Sequence, residues 1–273
     1  MSQLTTLDKI KSGKGIIDSK VKIKFKEAIH PLLLSGTKIK VKYKLEKVND
    51  VPFKIRKSER PVIFACNHTN EEDAPQALKA IKDHAYVLVG KQPLEKMDEM
   101  FFNLNGVIFV DRDNKEDMVA SKDAMVELLK AHKNLLVFPE ATWQWDYAQM
   151  VYELRWGIIE VAQRANAIIV PTSLVYDYDT KKCKCKFGEV LDPQGLSKKE
   201  GIDIVHDRIG EGKWDLFELN PMVERKSLDI DAEKAKIDEI NYSLLNRKKE
   251  ESYIYHSHAT SEEVFEPINR LRK

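Results

Sequence analysis

The chain has 273 residues, with 45 Lys and Arg against 44 Asp and Glu, and 42% of its residues are hydrophobic. That length and apolar content allow one large domain, or one domain with an appendage, and exclude a globally disordered chain. Three cysteines make no disulfide framework, no run approaches the roughly 18 apolar residues that span a bilayer, and Met1–Lys11 lacks the apolar stretch of a signal peptide, so the expectation is a cytoplasmic protein that at most touches a membrane.

The near-zero net charge hides an asymmetry. Between Lys9 and Lys47 there are twelve Lys, no Arg and three acids, so this stretch carries +9 and the remainder −8. Lys20, Lys22, Lys24 and Lys26 alternate with Val21, Ile23 and Phe25, and Lys38, Lys40, Lys42 and Lys44 alternate with Ile39, Val41 and Tyr43. Period two predicts two strands with one cationic face. Between them lies a short apolar patch, Ala28 to Leu34. The lysines read either as a solvated face on edge strands or as a contact for an anionic lipid surface. Nucleic acid is disfavoured, because Arg is absent and stacking aromatics are sparse. Residues 1–50 are thus expected to form a basic N-terminal segment with the first strand and a membrane-contact surface.

After residue 50 strands and helices alternate. Pro61–Cys66 is a continuous apolar run, as expected for a strand buried on both faces. A helix follows over Ala74 to Lys82, then apolar runs at Ala85–Val89 and Gly106–Val110. Met118, Val119, Met125, Val126, Leu128 and Leu129 recur at helical spacing behind Asn114, a candidate N-cap. Leu135–Phe138 predicts a strand, Glu153–Asn166 a helix and Ala167–Val170 a further strand. This alternation predicts an α/β fold with a largely parallel central sheet over 51–195. Residues 196–273 read as mostly helical, polar and loosely patterned, a peripheral appendage.

Reactive residues fall where these strands end. The first runs into Asn67-His68-Thr69-Asn70-Glu71-Glu72-Asp73, another into Asp111-Arg112, another into Pro139-Glu140-Ala141-Thr142, and another into Pro171-Thr172. In open α/β sheets the ligand crevice lies beyond the carboxyl ends of the strands, so these groups are expected to converge. His68 and Asp73, five apart, cannot share a helix face. They meet only if His68 lies in the loop before a helix whose first turn holds Asp73, and Pro75 supports such a start. A carboxylate on one imidazole nitrogen fixes the tautomer and leaves the other to take a proton, a general-base pair whose nucleophile belongs to the substrate. Asp73-x-x-Gln76 also reads as a capping box with no catalytic role.

These blocks resemble those of the glycerolipid acyltransferases typified by 1-acylglycerol-3-phosphate acyltransferase. Asn67-His68-x4-Asp73 is similar to the family's Asn-His-x4-Asp motif, and Gly106–Arg112 to its Gly-x-x-Phe-Ile-Asp-Arg block. Phe138–Trp143 is similar to Phe-Pro-Glu-Gly-Thr-Arg, and Ile169-Val170-Pro171 to a strand-ending Val-Pro. The resemblance spans roughly Ile39 to Leu191 and implies the family's fold. It also implies a mechanism: His68, oriented by Asp73, deprotonates an acceptor hydroxyl that attacks acyl-CoA or an acyl carrier protein thioester. No further cofactor is implied. Arg112 would grip an anionic acceptor group, Asn67, Glu140, Thr142 and Trp143 would line the acceptor site, and the acceptor would be a lysophospholipid or a relative. The enzyme would sit peripherally on the inner face of the membrane. Two departures stand out: Ala141 replaces the usual glycine, and Trp143 the usual arginine. The missing arginine opens the alternatives of an amine acceptor or of an acyl- or lipid-binding protein without turnover. Arg155, before Gly157, is a candidate to replace the charge.

Cys66, two residues before His68, reads as a core residue rather than a nucleophile. Cys183-x-Cys185 lacks the further ligands of a zinc site, and Glu71, Glu72, Asp73 and His68 complete no metal-binding pattern.

Overall fold

The computed structural model describes residues 3–36, 41–51, 53, 58–92, 94–144, 149–220, 224–235 and 237–238. The chain divides into two compact units, one of residues 1–91 with 95–220 and one of 92–94 with 221–273. The described part of the second unit holds a short 3-10 turn, Arg225–Ser227, and a helical stretch over 230–235.

The centre of the first unit is a seven-stranded sheet. The strands are β1 (Lys44–Lys47), β2 (Val62–Cys66), β3 (Ala85–Gly90), β4 (Val107–Val110), β5 (Asn134–Val137), β6 (Ile168–Asp177) and β7 (Lys182–Phe187), in the order β1-β7-β6-β2-β5-β3-β4. Neighbours are parallel except β6 and β7, so five strands run one way and β1 with β7 the other. The largely parallel α/β architecture read from the sequence is present. β2 is buried at every position, as its unbroken apolar run requires.

Helices α1 (Thr6–Lys11), α2 (Lys20–Gly36), α3 (Asp73–Ile81), α4 (Lys96–Asn105), α5 (Lys115–Lys130), α6 (Gly157–Ala165) and α7 (Lys198–Glu218) flank the sheet. Two apolar clusters fill the two sides. One joins Ile63, Ala65, Leu135 and Val137 to α5, α6 and α7, and the other joins Val62, Phe64, Cys66 and Leu136 to α3 and β7. Asn114 caps α5 as its position predicts, accepting from the backbone N–H of Glu116 and Asp117. Gly106 ends α4 at φ 112° and lets β4 start, and a Cβ there would lie 2.7 Å from the Tyr86 ring.

Four expectations need correction. The first lysine ladder is not a strand but the N-terminal part of α2. Ile23, Lys26, Glu27, His30 and Leu34 form the half-buried face of that helix, and their i, i+3, i+4, i+7, i+11 spacing overrides the alternation. Of the second ladder, 38–40 lie outside the described residues. Its described residues 41–43 lie outside any strand, and Lys44 alone of the ladder opens β1, an edge strand with Lys44 and Glu46 exposed. α4 was not anticipated. The last strand of the series does not end at Pro171-Thr172: β6 continues to Asp177, past the end of β2, whose Cys66 pairs with Thr172.

The C-terminal expectation also shifts. α7 is a sheet-packing helix of the first unit, with Ile202, Val205 and Ile209 in its core and Leu216 buried too. Its approach to β6 is close, since a Cβ on Gly212 would overlap Ser173 Oγ, and Ser173 Oγ donates to the Ile209 carbonyl at 2.9 Å.

Candidate active site

The loop between β2 and α3 is held from four sides. Asn67 is fully buried, and its side-chain amide makes both partners with the Leu174 backbone, donating to its carbonyl at 3.0 Å and accepting from its N–H at 2.7 Å. It latches the loop to β6. The extension of β6 beyond β2 makes this possible, and two residues later it brings Tyr176 Oη to Asp73.

Asp73 is 0% exposed, and its carboxylate accepts four hydrogen bonds. Oδ1 takes the Tyr176 hydroxyl at 2.7 Å, and Oδ2 takes the Thr69 N–H at 2.6 Å, the Asn70 N–H at 2.8 Å and His68 Nδ1 at 2.8 Å. A carboxylate taken out of water needs its lone pairs matched to donors, and all four bonds supply them. The capping box with Gln76 does not form, because Gln76 donates instead to the Tyr43 carbonyl and to Glu72. Glu72 in turn accepts from the N–H groups of Lys42 and Tyr43.

His68 sits as predicted, in the loop with Asp73 in the first turn of α3, and its side chain is 22% exposed. Its two partners assign the tautomer. Asp73 can only accept, so Nδ1 carries the proton, and the Trp143 indole can only donate, so Nε2 presents its lone pair, 2.7 Å from Trp143 Nε1. The Phe138 ring stacks on the imidazole with centroids 4.5 Å apart.

Block three folds over this loop. Glu140, 3% exposed, bridges two backbones: Oε1 accepts from His68 N–H and Oε2 from Tyr152 N–H, both at 2.9 Å. Burial pushes its carboxyl above the usual range, against these two N–H groups that hold it down. Glu140 thus braces the His68 loop against the Tyr152 backbone. Ala141 turns the chain at φ 59°, the left-handed region, which explains the glycine of the resembling block. Half-buried Thr142 follows, then Trp143 on His68, and Gln144 donates its N–H to the His68 carbonyl at 2.7 Å.

Arg112 reaches the same place from the end of β4. Its guanidinium donates to the Ala141 carbonyl and lies over Gly90, where a Cβ would stand 3.3 Å from Cζ. Arg155 has an exposed side chain, and its backbone N–H donates to the Pro139 carbonyl. Burial pushes the Cys66 thiol well up, as expected of a core cysteine, and Cys183 and Cys185 are likewise buried thiols raised by burial.

The sequence reading missed three contributors. Phe138 lay in a recognised block without a role. Tyr176 was signalled only by the apolar alternation continuing past Pro171. Lys213 on α7 is a buried ammonium that donates to Gln144 Oε1 and to the Met150 carbonyl. Its one local sign is the pair Gly210 and Gly212, small residues inside a helix that mark a close approach.

Residues 40–175 match the acyltransferase family model. No curated protein matches the chain. Among solved structures, the 1-acyl-sn-glycerophosphate (LPA) acyltransferase PlsC from Thermotoga maritima is similar in fold, with a TM-score of 0.58 at 16% identity over 75% of this chain and 86% of that one. The family match and the fold agree: the chain belongs to the acyltransferase family, with a fold like that of PlsC.

Proposed function

We propose that this acyltransferase moves a fatty acyl group from a thioester, acyl-CoA or acyl carrier protein, to the hydroxyl of a lysophospholipid-type acceptor, with His68 as general base. The supporting observation is the fixed tautomer: Asp73 holds the Nδ1 proton and Nε2 keeps a lone pair at the rim of a partly exposed ring. Nε2 takes the acceptor's hydroxyl proton as the oxygen attacks the thioester carbonyl. The tetrahedral intermediate collapses by breaking the carbon–sulfur bond, and the imidazolium returns the proton to the leaving thiolate. Arg112, half-buried beside Ala141, is the group for an anionic portion of the acceptor.

We also propose that the enzyme works at an anionic membrane surface on the cytoplasmic side. No described helix is long and apolar enough to cross a membrane. α2 instead carries Val21, Phe25 and Leu32, 78%, 56% and 74% exposed, within about 40° of one another around the helix. Exposed Lys20, Lys22 and Lys24 flank them, the pattern of a helix lying in the lipid interface.

One observation favours a second reading, an acyl- or lipid-binding protein without turnover: the Trp143 N–H already occupies Nε2. Thiol release from palmitoyl-CoA and acyl carrier protein, with a panel of lysolipid and amine acceptors, separates the two. Acceptor-dependent release abolished by His68→Ala establishes the transferase and identifies its acceptor. Donor binding without release from any pair establishes the binding protein, and release independent of acceptor a thioesterase.

A further inference from the structure

Lys213 is 4% exposed, and burial lowers its basicity while the carboxylates of Glu140 and Asp73 oppose that shift. An ammonium taken out of water is expensive, and surface helices rarely carry one inward. Here the approach of Gly212 to Ser173 brings that turn of α7 against β6, and the ammonium donates to Gln144 Oε1 and the Met150 carbonyl. Both acceptors lie close in sequence to residues that contact His68 or Glu140. Gln144 is bonded through its N–H to the His68 carbonyl and follows Trp143, whose indole meets Nε2. Two residues past Met150, the Tyr152 N–H meets Glu140, which holds the His68 N–H through its other oxygen.

We propose that Lys213 is a positioning residue for the reaction at His68, pinning Gln144 and Met150 so that Trp143 and Glu140 hold the imidazole in place. This rests on the acyl-transfer reading. It also places a determinant of the site on α7, outside the residues that match the acyltransferase family model. The ammonium touches no substrate and acts through its two acceptors.

The test is Lys213→Met in the full chain, with two readouts. In thiol release, kcat is expected to fall about tenfold to a hundredfold, as misplacement of a catalytic group does, with donor and acceptor KM changed much less. With 15N-labelled tryptophan, and the Trp143 indole assigned by its loss in Trp143→Phe, hydrogen exchange of that N–H is expected to accelerate about tenfold, matching a lost hydrogen bond of roughly 1.4 kcal/mol. If Lys213→Met does not fold, Gln144→Met at a half-buried position removes one acceptor, and the same changes are expected at smaller size. A folded variant with unchanged kcat and unchanged Trp143 exchange overturns the proposal. Should wild type release no thiol with any acceptor, the transferase reading fails by itself, and the indole exchange still decides whether Lys213 positions Trp143.

Discussion

Trp143 Nε1 lies 2.7 Å from His68 Nε2 and donates its proton to the lone pair that would accept one from the acceptor hydroxyl. An acceptor hydroxyl therefore competes with an internal donor for the same nitrogen. A neutral hydrogen bond is worth a net of about 0.5–1.5 kcal/mol, roughly 2- to 10-fold in binding. Trp143→Phe keeps an aromatic ring and removes the N–H, so the acceptor KM should fall by up to that factor, while kcat also falls because the imidazole loses one of its holds. A KM that rises instead would make the indole part of the acceptor site.

The same imidazole depends on Asp73, whose two oxygens accept four hydrogen bonds in full burial. Asp73→Asn turns one acceptor end into a donor that must face an N–H or the Tyr176 hydroxyl. Activity should drop about 10²- to 10⁴-fold, the range associated with a general base, and stability by about 1–3 kcal/mol. Tyr176→Phe removes one of the four bonds, leaves His68 Nδ1 paired, and should lower stability by about 1 kcal/mol with a smaller kinetic loss. Steady-state rates with urea unfolding distinguish them. Equal kinetic losses would mean that Tyr176 does more than brace Asp73.

Much of this was legible in the sequence because the information is local. The β2 run, the Asn114 cap and the placement of His68 before a helix headed by Asp73 follow from burial, capping and proline chemistry within a few residues. The lysine ladder misled because alternation is visible over residues 20–26, while the helical spacing of Ile23, Lys26, Glu27, His30 and Leu34 runs past it, and packing follows the longer pattern. Polarity at a strand end is visible in sequence, as at Asn67 and Glu140. Their partners, the Leu174 backbone and the His68 and Tyr152 N–H groups, lie 12 to 107 positions away. Lys213 lay beyond reach for the same reason.

Ala141 stands at φ 59° in the turn that carries Thr142 and Trp143. A left-handed conformation costs an L-residue about 1–2 kcal/mol, while glycine adds about 0.5–1 kcal/mol of unfolded-state entropy. Ala141→Gly should therefore stabilise by up to about 1 kcal/mol, raising Tm by roughly 2–4 °C for a chain of this size. A lower Tm would show that the alanine methyl packs favourably enough to offset the strain.

The exposed Val21, Phe25 and Leu32 of α2, with their flanking lysines, predict binding to anionic vesicles that weakens with salt. The paired substitutions Phe25→Glu and Leu32→Glu put two acids at the centre of the face. Cosedimentation with phosphatidylserine-containing vesicles should fall at least about tenfold, while turnover of a water-soluble short-chain donor and acceptor stays unchanged. Undiminished cosedimentation would move the lipid contact elsewhere on the chain.

His84 makes stability depend on pH. It is buried, its Nε2 donates to the Asn105 carbonyl, and its Nδ1 has no hydrogen-bond partner among the described residues. The ring lies edge-on to His30 at 5.2 Å and to Tyr86 at 5.1 Å, with Lys26 and Glu27 of α2 also acting on it. Burial is the largest cause of a pKa lowered from 6.5 to about 4. The unfolded chain therefore takes up this proton first, so the contribution is intact above about pH 6.5 and lost as pH falls toward 4. The shift corresponds to at most about 3 kcal/mol. Asp192, lowered to about 2 chiefly by its hydrogen bond to Arg60, loses its own contribution at lower pH, below the ordinary carboxylate value of 3.8. His84→Gln retains an N–H donor toward Asn105 and cannot take up a proton. Urea midpoints at about pH 7, 5.5 and 4.5 should therefore decline more steeply for wild type than for the variant. Parallel declines would assign the acid sensitivity to the carboxylates instead.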